Sequence, residues 1–537
     1  MNETASPVAS EEPPSAWAPM RRPVFRMLWV TWLTSNICMS MNDVAAAWTM
    51  TSLSSSPVMI ALVQSASAAP VFLLGLPSGA LSDILDRRHY YFATQCWVAF
   101  NASVLFVTIF GGWLTAPLLL ALTFANGVGM AMRWPVYSAI VPELVPRQEL
   151  HAAIGLNGIA MNASRVIGPV IAGALLASLG GEWVFALNAV LSVVAAFVIL
   201  RWRSEPRLSM LPGERFFGAM RVGLQYVVQS RPMRVALLRI GIFFLQSTAL
   251  LALLPLVAKH MLDGGAGAYT VLLASLGLGA ICVVLVLPQL RRRMSRPQLL
   301  RDGTLLQAAA MIVVGLATNL WIAVPAMFVA GAAWLAVVNT LTVSAQLVLP
   351  NWVRARGMSI YQMVLMGASA ASAAVWGYVA SVTDVGISLL AAAAAGVAGL
   401  IATRRLHGAL EETIDLTPTR YLAEPVPAIP VEHEQGPVMV TIEYKIDPAR
   451  YDEFAAVMHE SRANRLQKGA LSWGFFQDTE DASRYIEYFL DESWAEHLRR
   501  FERMTAADRE LRERRNAFDV RTDGPRVSRF VAKSMKR

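Results

Sequence analysis

Between residues 24 and 403 the chain runs through twelve apolar stretches, each long enough to cross a bilayer as an α-helix. Spanning the hydrocarbon takes about 20 apolar residues, and within lipid each segment must satisfy its own backbone hydrogen bonds. The stretches fall at about 24–50, 57–81, 90–110, 116–140, 152–178 and 182–200. After a polar gap they resume at 233–258, 268–289, 303–319, 321–348, 357–380 and 383–403. The composition agrees: 55% of the 537 residues are hydrophobic and only 16% are charged, where soluble domains carry about a quarter. Residues 1–436 hold 27 Lys/Arg and 20 Asp/Glu, whereas residues 437–537 hold 19 and 18. The last hundred residues are therefore far denser in charge and nearly neutral, as a soluble appendage would be. The net charge of +8 belongs mostly to the apolar part, where it reports loop orientation and not nucleic-acid binding.

Basic residues crowd alternate loops: Arg21, Arg22 and Arg26; Arg87 and Arg88; Arg147; Arg201 to Arg231; Arg291 to Arg301; Arg354 and Arg356; Arg404 and Arg405. The intervening loops carry almost nothing beyond Lys259. By the positive-inside rule both ends of the bundle are cytoplasmic, which requires an even number of spans. The gap at 201–232 divides the twelve into six and six. The expected organisation is a disordered tail over 1–23, a first half over 24–200, a cytoplasmic central loop over 201–232 and a second half over 233–407. A Pro-rich linker over 408–436 and a compact domain over 437–537 complete it. Cys38, Cys96 and Cys282 all fall inside apolar runs without ligand spacing, so no metal site and no disulfide framework is implied.

The short charged loop between the second and third stretches reads Gly79-Ala-Leu-Ser-Asp83-Ile-Leu-Asp86-Arg87-Arg88. It resembles the helix 2–3 loop of the major facilitator superfamily, with Ile84 in place of that pattern's first arginine. The resemblance implies a conformational latch formed by Gly79, Asp83, Asp86, Arg87 and Arg88: Gly79 allowing close helix approach, Asp83 lying against the positive end of a facing helix. The two halves echo each other, since Val141-Pro142-Glu-Leu-Val145 follows the fourth stretch and Leu349-Pro350-Asn-Trp-Val353 the tenth. The run Gln346 to Gln362 and the run Asn157 to Gly173 are similar to bacterial secretion transporters that include the enterobactin exporter. In the fifth stretch Gly168, Pro169 and Gly173 resemble an exporter-associated motif, with Ser164 and Ala172 replacing two of its glycines; small residues permit close crossing and Pro169 weakens the local ladder. The family's fourth-helix arginine is absent, because Thr123 precedes Gly127.

Asp43 is the single acidic residue deep in the first stretch, about 25 Å above Arg26 at 1.5 Å per residue. Arg165 in the fifth stretch stands about 20 Å above its own cytoplasmic entry. Their heights match and their charges oppose, so the two can pair, and a carboxylate whose partner leaves on conformational change can take up a proton. A static ion pair accounts for the same residues. In this fold the first, fourth, seventh and tenth spans face a central cavity, which nominates Asn36, Met39, Asn126, Phe243, Gln246, Trp334 and Asn339. Aromatic and amide groups in a wide apolar cavity suit an amphiphilic small molecule, although each serves equally well in helix packing.

From Val438 to Ile446 apolar residues alternate with Met439, Thr441, Glu443 and Lys445, the pattern of a half-buried strand. A helix from Pro448, strands near 470–478 and 484–490, a helix through Trp494 and a strand near 527–532 follow. This βαββαβ order resembles the ferredoxin-like antibiotic-biosynthesis monooxygenase domain. Trp473, Trp494 and His497 are pocket candidates; His497 stands where haem-degrading relatives place their iron ligand, but the first strand lacks the asparagine those relatives use.

The expected fold is thus an all-α membrane bundle of twelve transmembrane helices in two six-helix repeats plus an α+β ferredoxin-like domain. The expected function is proton-coupled export of a siderophore, drug or secondary metabolite across the cytoplasmic membrane, without a cofactor, with a regulatory domain or a homodimer formed through the tail. An active monooxygenase tail, cofactor-free or haem-degrading, is the alternative.

Overall fold

A computed structural model describes residues 17–202, 216–260, 265–350, 352–406, 415–417, 419 and 425–533. Thirteen helices precede the first strand: α1 (Pro23–Leu53), α2 (Pro57–Ile84), α3 (Arg87–Phe110), α4 (Ala116–Leu144), α5 (Leu150–Ser178), α6 (Gly181–Arg201), α7 (Phe216–Gln229), α8 (Arg231–His260), α9 (Ala266–Arg293), α10 (Arg296–Leu316), α11 (Leu320–Leu347), α12 (Arg354–Val382) and α13 (Val385–Ala402). Eleven of the described helices, α2 to α6 and α8 to α13, are long and apolar enough to span a membrane. The expected twelfth, α1, is 31 residues long but too polar to join that set. It buries Thr31, Ser35, Asn42 and Thr51, so its polar residues turn toward protein.

Two departures lie at the edges of the bundle. Residues Ala18–Arg21, expected in a disordered tail, form a 3-10 turn, and Arg22 pairs with Glu149 at 2.9 Å. Within the expected central loop stands α7, with Val222, Tyr226 and Val227 buried. Its apolar residues are interrupted by Arg221 and Gln225, which is why no membrane-length run marks it.

The chain divides into two compact units. The bundle unit comprises residues 1–208, 240–339 and 362–402; the α+β unit comprises 209–239, 340–361 and 403–537. The bundle unit packs through close helix crossings. A Cβ at Gly168 would lie 2.5 Å from the Ser40 Cβ of α1, and one at Gly127 would lie 2.7 Å from the Ser67 carbonyl oxygen of α2. At Gly279 and Gly331 it would overlap the backbone of α11 and α9 respectively. Small residues here replace the hydrophobic driving force that lipid does not supply.

In the α+β unit, β1 (Val438–Lys445), β2 (Ser472–Gln477), β3 (Arg484–Asp491) and β4 (Arg526–Val531) form an antiparallel sheet of order β2-β3-β1-β4. Helices α14 (Tyr451–Gln467), α15 (Trp494–Glu502) and α16 (Ala506–Asn516) accompany it. The expected α+β domain is compatible with this arrangement. The single helix anticipated after β3 is two, because Thr505 and Asp508 form a reciprocal capping box that starts α16 anew. Val438, Val440, Ile442 and Tyr444 point from β1 into a core with Phe454, Tyr485, Phe489 and Trp494. The segment before β1 belongs to the same unit, since the His433 and Gln435 carbonyls accept from Ala495 and Trp494.

The same unit holds α7 and the turn after α11. Arg221 pairs with Glu492 at 2.7 Å, Gln225 donates to the Ala470 carbonyl, and a Cβ at Gly469 (φ +96°) would lie 2.8 Å from Val222. Arg503 lies over the Trp352 ring at 4.9 Å, and the Tyr226 hydroxyl donates to the Val348 carbonyl at 2.9 Å.

Candidate functional site

The α2–α3 loop is built by capping. Asp86 is the N-cap of α3 and accepts from the His89 backbone N–H at 2.9 Å. Arg87 pairs with Glu143 near the end of α4, and Arg88 donates to the Leu200 carbonyl near the end of α6, where a cation suits the negative helix terminus. The loop thus ties the start of α3 to the ends of two neighbours. The Asp83 side chain lies outside the described residues. Among the described residues a Cβ at Gly79 would meet no atom within 4 Å, whereas close approach is seen at Gly168 and at Gly173, the latter against Thr270 of α9.

Asp43 accepts from the Ser67 hydroxyl of α2 at 2.9 Å and forms no ion pair among the described residues. The expected Asp43–Arg165 pair is not made. Arg165 instead lies over the Trp334 ring of α11, 5.2 Å from its centroid. Residue count along a helix gives height but not azimuth, and these two side chains leave their helices in different directions.

The bundle also holds a cation that position-by-position motif matching passes over. Arg133 of α4 is buried; its guanidinium donates to the Ser35 carbonyl at 3.4 Å, approaches the Met39 sulfur at 3.9 Å and lies 5.4 Å from the Trp32 ring centroid. Its Nε has no hydrogen-bond partner, and no carboxylate pairs with it among the described residues. The sequence signal is an arginine between Met132 and Trp134 inside an apolar run; an intramembrane charge of this kind is a functional-site candidate by default.

The other cavity candidates separate. Met39 touches Arg133, Trp334 touches Arg165, and Asn36 donates to the Trp32 carbonyl. Asn126 and Phe243 are buried, and Gln246 is buried against Gly396 of α13. Asn339 accepts from Arg291 at 2.6 Å, a cation of the last turn of α9 engaging the far part of α11. Neither amide atom of the buried Gln246 has a hydrogen-bond partner among the described residues.

In the α+β unit buried charge is paired. Glu487 accepts from Tyr444 at 2.9 Å, Ser461 at 3.2 Å, Arg465 at 3.0 Å and Trp473 at 3.0 Å. Burial alone would raise its pKa; Arg465 and Arg515 outweigh burial and hold it below the usual carboxylate range. Asp491 pairs with Arg500 and with the Nδ1 of His497 at 2.8 Å. The Arg529 Nε–H donates to the other ring nitrogen of His497 at 3.2 Å, so Nε2 carries no proton and Nδ1–H is the donor to Asp491. Both nitrogens are engaged, and His497 does not fit the iron-ligand role considered for it. Trp494 is a core residue and Trp473 holds Glu487; neither belongs to the wall of the cavity in this unit, which His497 does join. That cavity, of about 220 Å³, lies between the sheet and α14, α15 and α16.

With this geometry in hand, comparison with known proteins is informative. The family described as transmembrane secretion effector matches residues 14–537. Macrolide efflux protein A of Streptococcus pyogenes is 22% identical over 245 residues, 45% of this chain and 60% of the relative. The staphyloferrin A transporter of Staphylococcus aureus is 21% identical over 250 residues, 46% of this chain and 62% of the relative. The chain thus spans about 60% of the length of these curated relatives. Among solved structures, the nucleoside transporter NupG (D323A mutant) superposes with a TM-score of 0.60 at 12% identity, covering 71% of this chain and 99% of that one. The D-xylose–proton symporter superposes with a TM-score of 0.58 at 14% identity, covering 70% and 96%. At such identities these likenesses establish the fold alone.

Proposed function

We propose, from the premise that this chain belongs to the transmembrane secretion effector family and is a membrane transporter of the major facilitator class, that it exports an amphiphilic small molecule by exchanging it for a proton at Asp43. The observation that carries the reading is the Asp43 carboxylate with a neutral hydroxyl partner and no counter-ion among the described residues. Such a group exchanges a proton without breaking an ion pair, and each protonation state favours a different helix arrangement. Twelve spans in two six-helix repeats, both termini cytoplasmic, complete the proposal; the alternating loop charges support it. Relatives named for macrolide efflux and for staphyloferrin A support a drug or siderophore as the exported class. Arg133 and Arg165, each lying over a tryptophan, offer cationic and aromatic contacts to such a molecule. The α+β unit is a regulatory appendage in this reading and not an enzyme.

The test is Asp43→Asn in proteoliposomes. Substrate binding should persist while efflux driven by a proton gradient falls to background, because the amide mimics the protonated acid and releases nothing. Efflux at the wild-type rate across a range of external pH would eliminate Asp43 as the coupling site.

A further inference from the structure

The cavity of the α+β unit has a composition that packing alone does not call for. Six cationic side chains line it, Arg465, Lys468, Arg500, Arg512, Arg515 and Arg529, against two carboxylates, Asp508 and Asp523. Glu487 and Asp491 stand behind the wall, each paired with an arginine of it. We propose that this cavity is a binding site for a small organic anion, a carboxylate or phosphate carried on an apolar body. The proposal is independent of the transport reading.

The cations divide by what satisfies them. Arg465 pairs with Glu487, Arg500 with Asp491 and Lys468 with Asp508, and these three form a fixed wall. Burial lowers the Lys468 ammonium to about 8 in spite of Asp508, a sign of how little solvent reaches that wall. On α16 and β4 the accounting differs. The buried Arg515 donates to the Ser461 hydroxyl and stands 3.6 Å from Glu487, a carboxylate Arg465 already holds; its Nε has no partner. Arg529 donates to the Nε2 of His497 and pairs with no carboxylate among the described residues, and its pKa is lowered by burial and then by the like charge of Arg512. Arg529, held among the described residues by a ring nitrogen, and Arg515, with an unused donor, make a site that an anion would relieve.

The rest of the wall selects the ligand's other end. Val440, Ile442, Phe489, Phe501, Met504 and Leu511 present apolar surface. A volume of 220 Å³ is below the roughly 300–1,000 Å³ of pockets for drug-sized ligands, so the occupant is of metabolite size.

The experiment uses the full chain in nanodiscs of zwitterionic lipid, with hexanoate as probe and hexanol and hexylamine as controls. Hexanoate should bind saturably and protect the amides of residues 506–531 from hydrogen exchange, and the two controls should not. Arg529→Gln and Arg512→Gln, both remote from the Glu487 network, should each weaken hexanoate about tenfold, the worth of one charge-assisted hydrogen bond, with unchanged exchange in the free protein. Inorganic phosphate should compete with hexanoate. Equal protection by hexanol, no saturable binding, or unaltered affinity in both variants would overturn the proposal. So would protection that requires anionic phospholipid and not hexanoate, which would assign these arginines to the bilayer surface.

Discussion

Asp43 in the bundle unit has one hydroxyl for a partner, and Arg133 a backbone carbonyl and a thioether; Glu487 in the α+β unit accepts from four residues and has two arginines at hand. All are ionisable side chains drawn away from water, and desolvation penalises each. In the α+β unit the penalty is met by ion pairs that depend on one fixed arrangement. In the bundle unit it is met, among the described residues, by neutral groups of neighbouring helices, the Ser67 hydroxyl for Asp43 and the Ser35 carbonyl, Met39 sulfur and Trp32 ring for Arg133, an arrangement that a helix shift can exchange for another. A charge secured on all sides records a structure; a charge held by one neutral contact leaves room for a second state.

Four changes sharpen or break that contrast, in falling order of their effect on stability. Glu487→Gln strands Arg465 and Arg515 without a counter-charge and should destabilise the α+β unit by about 3–5 kcal/mol, read as lost hydrogen-exchange protection in β1 and β3 of the full chain. Unchanged protection would show that the network is ornamental. Acid should act next. Burial pushes the Asp491 carboxyl up, but Arg500 and His497 outweigh it and hold it at about 2, below its ordinary 3.8. A depressed carboxylate contributes stability above its unfolded pKa and loses it as pH falls through the folded one, so about 2 kcal/mol should disappear between pH 4 and 2. Protection of β3 and α15 that is flat over that window would contradict the pairing.

Arg165→Ala removes the cation–π contact with Trp334 and should cost about 1 kcal/mol of thermal stability in detergent. Because Asp43 does not depend on Arg165, efflux should stay coupled to the proton gradient in this variant, with any loss confined to substrate affinity. Poor expression would instead restore the ion pair that the residue heights suggested. Asp43→Asn should move stability least, by under about 1 kcal/mol, since the amide can keep the Ser67 contact, while abolishing coupled efflux. A large stability loss would place Asp43 with the secured charges.

Much of the fold was legible because hydropathy and strand alternation are one-dimensional signals. Eleven helices stand where apolar runs stand, and Val438 to Tyr444 alternate as a strand that buries one face. What escaped depends on neighbours distant in sequence. Helix α7 is polar enough to read as loop until Gly469 and Ala470 are seen against it. The division at Thr505 is a capping event, invisible to hydropathy. In the site, Asp43 was legible as a lone acid, but its partner was not, since azimuth is set by packing. His497 was legible as a titratable group and illegible as one with both ring nitrogens engaged.

The contact between α7 and the turn at Gly469 has a consequence for how the chain is made. Val222 leaves the ribosome nearly 250 residues before Gly469, and at about 5–20 residues per second that is an interval of roughly 12–50 s. Throughout it, Val222 and Gln225 exist without the surface that covers them, while Trp352 waits a shorter time for Arg503. An amphipathic helix directly ahead of the membrane-length α8 needs interim shelter for its apolar face, and a bilayer interface can supply it. Synthesis therefore runs ahead of assembly here, and a surface begun with Val222 is completed only when Gly469 emerges.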